Sequence, residues 1–390
     1  MVSKDERDGR FLCLSARLCR EVFLCLLCGG DLMSFTVQGT PGFYQGEIGI
    51  LDSLELKLQG YGFKKGLVIH GEKAWHATKP YFPKFNELSL VYENYRGECS
   101  DLEISRLVDL ALRVEAEFVL GIGGGKVLDL AKAVASKIHR DVVLIPTLAA
   151  TCAAWTSLSV IYTEEGVYER YQVFPRHILM VLVEPRIFVS SPVQYLRAGI
   201  GDTLAKWYEA RALTKGELDL RVPIKIAIET AAICKEVLLE QGAFSLEALE
   251  KGELTSSLLS VIETNIIAGG MVGGLGDTYG RIAGAHSVHN GLTRLKETHH
   301  LLHGEKVAYG ILVQLALEKE FEEIEKLIPF YRQVSLPYSL KHLGISSDDD
   351  IAIQTISQGA LAPGESIHFM KDKYTEEEVI KAIRAVESFQ

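Results

Sequence analysis

Strand-like and helix-like segments alternate from Phe35 to about Val189, and this alternation constrains the fold more than any other feature of the sequence. Each predicted strand is a short apolar run, whereas each predicted helix repeats apolar residues with a 3.6-residue period. Such alternation predicts a parallel sheet with helices on its faces. Strands are expected at Gly66–His70, Leu88–Tyr92, Phe118–Ile122 and Val142–Ile145, helices at Asp101–Val114 and Lys126–Ile138, and an added hairpin at Leu158–Tyr162 and Tyr168–Val173.

The pattern changes after Ser190-Ser-Pro192. The stretches Pro223–Gln241 and Leu254–Ile267 have helical periodicity without strand-like alternation, and the remainder is predicted to be helical through Phe389. A chain of 390 residues is also long for one core. We therefore expect an α/β, Rossmann-like domain at 34–191 and an all-helical domain at 192–390, with the active site in the cleft between them. Residues 1–33 are expected to be a disordered extension or the product of a mis-called start.

Composition excludes several classes of function. The formal net charge of −10 argues against a nucleic-acid partner, because phosphate binding needs clustered Lys and Arg. No apolar run is expected to approach the roughly 18 residues that cross a bilayer, so no membrane partner is predicted. Seven cysteines, crowded toward the amino terminus, do not resemble a disulfide framework. Reduced thiols favour a cytoplasmic protein.

One glycine cluster lies where a predicted strand meets a predicted helix: Gly121-Ile-Gly123-Gly124-Gly125-Lys126-Val-Leu-Asp129. Glycines let the backbone approach a pyrophosphate, and a helix amino terminus offers free N–H groups and a favourable dipole. The spacing is neither the Rossmann fingerprint nor a Walker loop, and a plain tight turn is the alternative. The context favours dinucleotide phosphate binding.

Metal-ligand residue types concentrate in the second half of the chain. Asp202 lies near the start of a predicted helix, His286 and His289 share one helical face at i and i+3, and His303 follows soon after. One Asp with two neutral imidazoles and an open position is a normal catalytic Zn²⁺ or Fe²⁺ site. The distance of Asp202 along the sequence leaves isolated structural roles as the alternative.

Several blocks of the sequence resemble the glycerol-dehydrogenase-like branch of the iron-containing alcohol dehydrogenases, in family order and over roughly Phe35 to Gln390. They are Gly123-Gly-Gly-Lys-x-x-Asp129-x-Ala-Lys132, Ile145-Pro-Thr-Leu-Ala-Ala-Thr151, Leu158-Ser-Val-Ile-Tyr162, Gly201-Asp202, His286-x-x-His289-Asn-Gly and His303-Gly-Glu-Lys-Val-Ala308. The resemblance implies the two-part fold that this family shares with dehydroquinate synthases.

The same resemblance implies roles for individual residues. It implies metal binding by Asp202, His286 and His303, with His289 as a close neighbour of the substrate. It implies cofactor contacts by these residues: Gly123, Gly124, Gly125, Lys126, Asp129, Thr147, Thr156, Leu158 and Tyr162. A small-molecule substrate and a homo-oligomer are expected as well.

Three positions depart from the family pattern. Cys152 stands where glycerol dehydrogenases carry an Asp that helps to hold the polyol, which weighs against glycerol itself. Lys206 stands where many iron-dependent relatives carry a His; it could pair with a substrate carboxylate or simply neutralise Asp202 or Glu209. Gly71 replaces the acidic residue of NAD-using relatives, and with Lys73 nearby this favours NADP, although the adjacent Glu72 leaves NAD open.

The segments around Cys152, Met180–Pro185, Ala198–Glu209 and Glu365–His368 resemble the hydroxycarboxylate dehydrogenase branch, which reduces 2-oxo acids to 2-hydroxy acids. Lys206 would then anchor the substrate carboxylate, and His289 or a bound water would relay the proton. The alternatives are an NAD-dependent glycerol or polyol dehydrogenase, a non-catalytic dinucleotide-binding regulator, and a relative that eliminates or cyclises phosphorylated sugars.

Overall fold

The computed structural model describes residues 36–389, and all the strands in that range precede residue 184. The run Phe118–Gly123 is buried along its whole length, which is typical of a central strand covered by helices on both faces. The eight strands are β1 (Tyr44–Gly46), β2 (Lys65–His70), β3 (Ser89–Asn94), β4 (Phe118–Gly123), β5 (Asp141–Pro146), β6 (Leu158–Tyr162), β7 (Tyr168–Val173) and β8 (Met180–Val183).

Six strands form one parallel sheet in the order β1-β8-β5-β4-β2-β3. From β2 the chain moves outward to β3 and then returns to place β4 on the other side of β2. The strand order therefore reverses between β2 and β4, whose ends are paired at His70 and Ile122. In open parallel sheets, ligands bind outside the carboxyl ends of the strands at such a reversal. The predicted parallel sheet is confirmed, and two short strands, β1 at the edge and β8 beside it, are additions to the prediction.

The hairpin prediction is right in its strands but wrong in their attachment. Strands β6 and β7 pair antiparallel with each other and form a separate two-stranded sheet. The hairpin is held by side chains rather than by strand pairing with the six-stranded sheet. Asp129 Oδ2 accepts from the Val160 amide at 3.0 Å, and Lys132 donates to the Leu158 carbonyl. The hairpin is therefore fixed to the helix that carries Asp129 and Lys132.

Four helices accompany the sheet: α1 (Leu54–Gly60), α2 (Glu72–Thr78), α3 (Asp101–Arg113) and α4 (Gly125–Lys137). The remaining α-helices are α5 (Pro185–Val189), α6 (Val193–Thr214), α7 (Val222–Glu250), α8 (Ser256–Glu263), α9 (Gly269–Gly276), α10 (Thr278–Arg281), α11 (Gly284–Leu292), α12 (His303–Leu317), α13 (Phe321–Val334), α14 (Asp350–Ala360) and α15 (Glu376–Val386). The predicted helical second half is confirmed. Residues 37–389 form one compact unit, so the boundary at 191 stays a prediction, and the expectation for residues 1–33 lies outside the described residues.

Helices α8 and α9 are joined by a π-helical turn at Thr264–Ala268. Together they form Ser256–Gly276, a stretch long and apolar enough by composition to cross a membrane, and most of it is buried inside the fold. The expectation that no apolar run approaches this length is therefore wrong. Both helices pack against α7, which explains their apolar composition as that of core helices.

Candidate active site

Three predicted ligands converge from three different helices. Asp202 lies in α6, His286 in α11, and His303 is the first residue of α12. Asp202 Oδ1 is 3.4 Å from His286 Nε2 and 3.2 Å from His303 Nε2. The three ligand atoms all lie within 4.8 Å of one another. The structure thus brings together side chains separated by as many as 101 residues in the sequence.

Glycines at the helix crossings make this convergence possible. A Cβ atom on Gly304 would lie 1.8 Å from the Ala198 carbonyl oxygen, and one on Gly201 would lie 2.3 Å from the Gly304 carbonyl oxygen. Helices α6 and α12 therefore touch backbone to backbone beside Asp202. A Cβ on Gly310 would lie 2.3 Å from the Ala285 oxygen, so α12 approaches α11 equally closely. Any larger residue at these positions would push the ligand-bearing helices apart.

Glu209 is a functional residue that the sequence analysis did not assign. Its Oε2 accepts a hydrogen bond from His286 Nδ1 at 2.7 Å, while Oε1 accepts from the backbone amides of Ala283 and His286 at 2.7 and 2.9 Å. One buried carboxylate therefore caps the amino terminus of α11 and turns Nε2 of His286 toward Asp202. The sequence feature that could have identified Glu209 is its position seven residues after Asp202, which places both residues on the same face of α6.

His289 lies beside the metal-ligand set without joining it. Its Nε2 is 2.9 Å from His303 Nδ1, and its Nδ1 is 2.9 Å from Asn290 Oδ1. Burial, reinforced by the neighbouring His303 and His286, holds the pKa of His289 well below its ordinary value. Both ring nitrogens of His289 therefore have partners within the protein, and the proton relay expected from the sequence stays a prediction.

The carboxylate of Asp202 and the ammonium of Lys206 each favour the charged form of the other. Burial would raise the pKa of the Asp202 carboxyl, but the Lys206 ammonium and the neighbouring imidazoles of His286 and His303 hold it well below its ordinary value. Burial would likewise lower the pKa of Lys206, but the negative charge of Asp202 raises it. The Lys206 ammonium donates to the Arg281 carbonyl at 3.0 Å, which uses one of its three N–H donors.

The side chains present fit a divalent metal ion. Ligands about 2.1 Å from a tetrahedral ion lie about 3.4 Å apart, which matches the two distances from Asp202 Oδ1. Burial would lower the pKa of His286, but Glu209 and Asp202 raise it to about 9, so the pocket electrostatically favours a cation. The His303 side chain is 42% exposed, whereas Asp202 and His286 are buried, so the site opens on one side as catalytic metal sites do.

The predicted phosphate-binding turn lies at the reversal of strand order. Gly123 ends β4, Gly125 begins α4, and Gly71 follows β2 at the same edge of the sheet. Side chains crowd this turn: a Cβ on Gly123 would lie 2.7 Å from Val127 Cβ, and one on Gly124 would lie 2.9 Å from Leu148 Cδ1. The glycines are thus needed for close packing of this turn against Val127 and Leu148, and they would also let a ligand approach the backbone.

The other residues predicted to contact a cofactor surround this turn. The Thr147 amide donates to the Gly123 carbonyl at 3.0 Å, and Lys126 lies over the Tyr162 ring while pairing with Glu98 at 2.6 Å. Lys132 Nζ donates to the carbonyls of Ala153, Thr156 and Leu158.

Asp129 differs from the other residues predicted to contact a cofactor, because its carboxylate has partners within the protein. Its Oδ1 pairs with Lys132 at 2.8 Å, and its Oδ2 accepts from the Val160 amide. Asp129 therefore supports strand β6, and its expected contact with a cofactor stays a prediction.

The loop 147–156 connects the glycine turn to the metal-ligand helices. Asn265, buried in the π-helical turn, donates from Nδ2 to the Ala149 carbonyl at 2.9 Å. A Cβ on Gly199 of α6 would lie 2.0 Å from that same carbonyl oxygen. Cys152 in this loop interacts with Lys206, and burial raises the pKa of its thiol although Lys206 opposes that shift. The loop therefore places a neutral thiol within electrostatic reach of the Lys206 ammonium.

Comparison with known proteins finds similarity over most of the chain. The family model described as iron-containing alcohol dehydrogenase matches residues 41–185. Hydroxycarboxylate dehydrogenase A from Escherichia coli (strain K12) is 41% identical over 323 residues, which cover 83% of this chain and 89% of that protein. The chain belongs to the iron-containing alcohol dehydrogenase family. It is thus an oxidoreductase of this family, and the resemblance drawn from its motifs is confirmed.

Other members of the family align over nearly the whole described chain. The glycerol dehydrogenase of Thermotoga maritima is 36% identical over 354 residues, covering 90% of this chain and 96% of that protein. The solved structure of glycerol dehydrogenase from Schizosaccharomyces pombe superimposes with a TM-score of 0.82 at 29% identity and covers 91% of each chain. The predicted architecture of a parallel-sheet half followed by a helical half is the fold of this family.

Proposed function

We propose that the protein is a metal-dependent, nicotinamide-linked dehydrogenase that reduces small 2-oxo acids to 2-hydroxy acids. The observation that carries the proposal is the convergence of Asp202, His286 and His303, with the charged Lys206 one helical turn from Asp202. A Zn²⁺ or Fe²⁺ ion held by these three side chains would supply Lewis-acid polarisation of the substrate's C2–oxygen bond.

The chain's own residues would position the reactants. The nicotinamide provides the hydride chemistry, and its pyrophosphate is assigned to the Gly123–Gly125 turn, where the strand order reverses. Glu209 holds the His286 ring, and His289 holds the His303 ring. Since both nitrogens of His289 are engaged, we assign the proton relay to water entering on the exposed side of His303.

Charge balance favours an anionic substrate. With neutral imidazoles, the cluster holds the carboxylates of Asp202 and Glu209 and the ammonium of Lys206. A divalent ion would leave this cluster with one excess positive charge. The carboxylate of a 2-oxo acid would balance that charge, whereas a neutral polyol would leave it uncompensated in a buried site.

Cys152 strengthens the same argument. An Asp at this position, as the family resemblance implies for glycerol dehydrogenases, would neutralise the nearby Lys206. The thiol here is neutral because burial raises its pKa. The Lys206 ammonium is therefore left to pair with a carboxylate brought by the substrate.

We further propose NADP as the preferred cofactor. Gly71 offers no carboxylate to repel a 2′-phosphate, and Lys73 is exposed in the first turn of the helix that follows. The exposed Glu72 lies next to both, which keeps NAD as the second candidate.

A glycerol or polyol dehydrogenase is the competing function. Its support is the similarity to the Thermotoga maritima glycerol dehydrogenase over 96% of that protein. It would require the pocket to accept a neutral diol beside Lys206.

A substrate panel separates the two functions. The purified enzyme, supplied with Zn²⁺ or Fe²⁺, would be assayed with small 2-oxo acids and either reduced nucleotide, and with glycerol or 1,2-propanediol and either oxidised nucleotide. We expect the highest kcat/KM for a 2-oxo acid with NADPH. A higher kcat/KM for glycerol with NAD would refute the proposed substrate and cofactor together.

A further inference from the structure

A chain of hydrogen bonds runs from the metal-ligand set to a carboxylate that the sequence analysis did not connect with it. His303 Nδ1 is 2.9 Å from His289 Nε2, and His289 Nδ1 is 2.9 Å from Asn290 Oδ1. Asn290 Nδ2 then donates to both oxygens of Glu365, at 2.9 and 3.2 Å. The chain joins α11, the start of α12 and the segment between α14 and α15.

The carboxylate end fixes the direction of every bond in this chain. Glu365 accepts only, so the Asn290 amide must turn its NH₂ group toward Glu365 and its oxygen toward His289. His289 must then carry its hydrogen on Nδ1, which leaves Nε2 as an acceptor. His303 therefore donates from Nδ1, and its Nε2 lone pair is left facing Asp202.

Glu365 is held firmly enough to act as this anchor. The next residue, Ser366, is buried and donates to the Ala283 carbonyl at 2.7 Å. The Ile367 amide donates to Ser287 Oγ at 2.9 Å. Ala283 immediately precedes α11 and Ser287 lies within it, so the backbone that follows Glu365 is fixed against the helix that carries His289 and Asn290.

We propose that Asn290 and Glu365 are positioning residues that set the ring tautomer of His289 and, through it, present Nε2 of His303 to the metal ion. The inference rests on the proposed metal-dependent function. Each imidazole ligand is then oriented by a carboxylate. Glu209 orients His286 directly, and Glu365 orients His303 through Asn290 and His289.

Four variants test the proposal. Asn290→Ala removes the central link, and Glu365→Gln removes the charge that fixes its direction. Asn290→Asp places a second carboxylate against Glu365, and the repulsion between the two carboxylates turns the new side chain away from His289. The double variant Asn290→Asp with Glu365→Gln restores a complete chain, because the Gln amide donates to the new carboxylate, which accepts from His289. Asn86→Ala and Glu297→Gln, both exposed, are the matched controls.

Two readouts are measured on each folded protein. Chelator-competition titration with Zn²⁺ gives the metal affinity, and long-range ¹H–¹⁵N correlation spectra of histidine-labelled protein give the tautomer of His289. We expect Asn290→Ala and Asn290→Asp to weaken Zn²⁺ binding about tenfold or more. Glu365→Gln should mix the two His289 tautomers. The double variant should return to within about threefold of the wild-type affinity.

Wild-type affinity and an unchanged His289 tautomer in the single variants would overturn the proposal. So would a double variant no better than Asn290→Asp alone. If Asn290→Ala fails to fold, Glu365→Gln and the double variant still decide the question. A wild-type protein that binds no divalent ion would refute the proposed function instead, and the tautomer spectra would still report on this chain of hydrogen bonds.

Discussion

Lys206 is the residue whose charge most directly distinguishes the substrate classes. Its ammonium is buried and kept charged by Asp202, and the neighbouring Cys152 is neutral. Removing one partner of a buried ion pair costs about 2–5 kcal/mol, which corresponds to roughly thirtyfold to several thousandfold in rate. Lys206→Met should therefore lower kcat/KM for 2-oxo acids by about a hundredfold, and for a neutral aldehyde by far less.

The exposed Lys225 provides the control for this experiment, since Lys225→Met removes a cation from the same helical half. Equal losses for the acid and for the neutral aldehyde would show that Lys206 only supports the fold around Asp202.

Individual site residues were predictable from the sequence to different degrees. The spacing of His286 and His289 indicated a shared helical face, and the family motifs supplied Asp202 and His303. Neither source identified Glu209, Asn290 or Glu365 as partners of those imidazoles. Their roles depend on which ring nitrogen each one meets, and that is decided by how α6, α11 and the 361–370 segment pack together.

At the scale of elements, the metal-ligand set depends on the crossing of α6 and α12. A Cβ on Gly304 would lie 1.8 Å from a backbone oxygen of α6, so the helices would have to separate. We expect Gly304→Ala to lower the melting temperature and to weaken metal binding by at least about tenfold, because Asp202 and His303 would no longer share one ion.

Gly60→Ala is the matched control, since its Cβ would meet nothing within 4 Å. Thermal unfolding and Zn²⁺ titration would be measured on both variants. A Gly304→Ala protein with unchanged stability and affinity would contradict the role assigned to this crossing.

The central strands of the sheet were predictable from the sequence, whereas the short edge strand β1 and the position of the hairpin were not. Buried strands such as Phe118–Gly123 are continuous apolar runs and were predicted within a residue or two. The edge strand Tyr44–Gly46 has three residues and is too short to show a period. The hairpin is separate from the main sheet, and Asp129 and Lys132 bind its backbone. The alternation of apolar residues along the sequence cannot reveal such a tertiary contact.

At the scale of the whole molecule, one loop joins the two ligand-binding regions. Leu148 packs near the glycine turn, the Ala149 carbonyl contacts Asn265 and α6, and Cys152 interacts electrostatically with Lys206. A nucleotide bound at the turn would therefore lie next to the same loop that borders the metal ligands. This connection gives a physical reason for the reaction to take place between the sheet and the helices.

The central claim is that one divalent ion binds among Asp202, His286 and His303 and is required for turnover. Metal content and Zn²⁺ affinity of the wild-type protein and of Asp202→Ala, measured together with 2-oxo-acid reduction before and after chelation, test it most directly. We expect one ion per wild-type chain, no tightly bound ion in Asp202→Ala, and activity that chelation removes and Zn²⁺ or Fe²⁺ restores. Full turnover by metal-free protein, or an Asp202→Ala variant with wild-type affinity, would contradict the account.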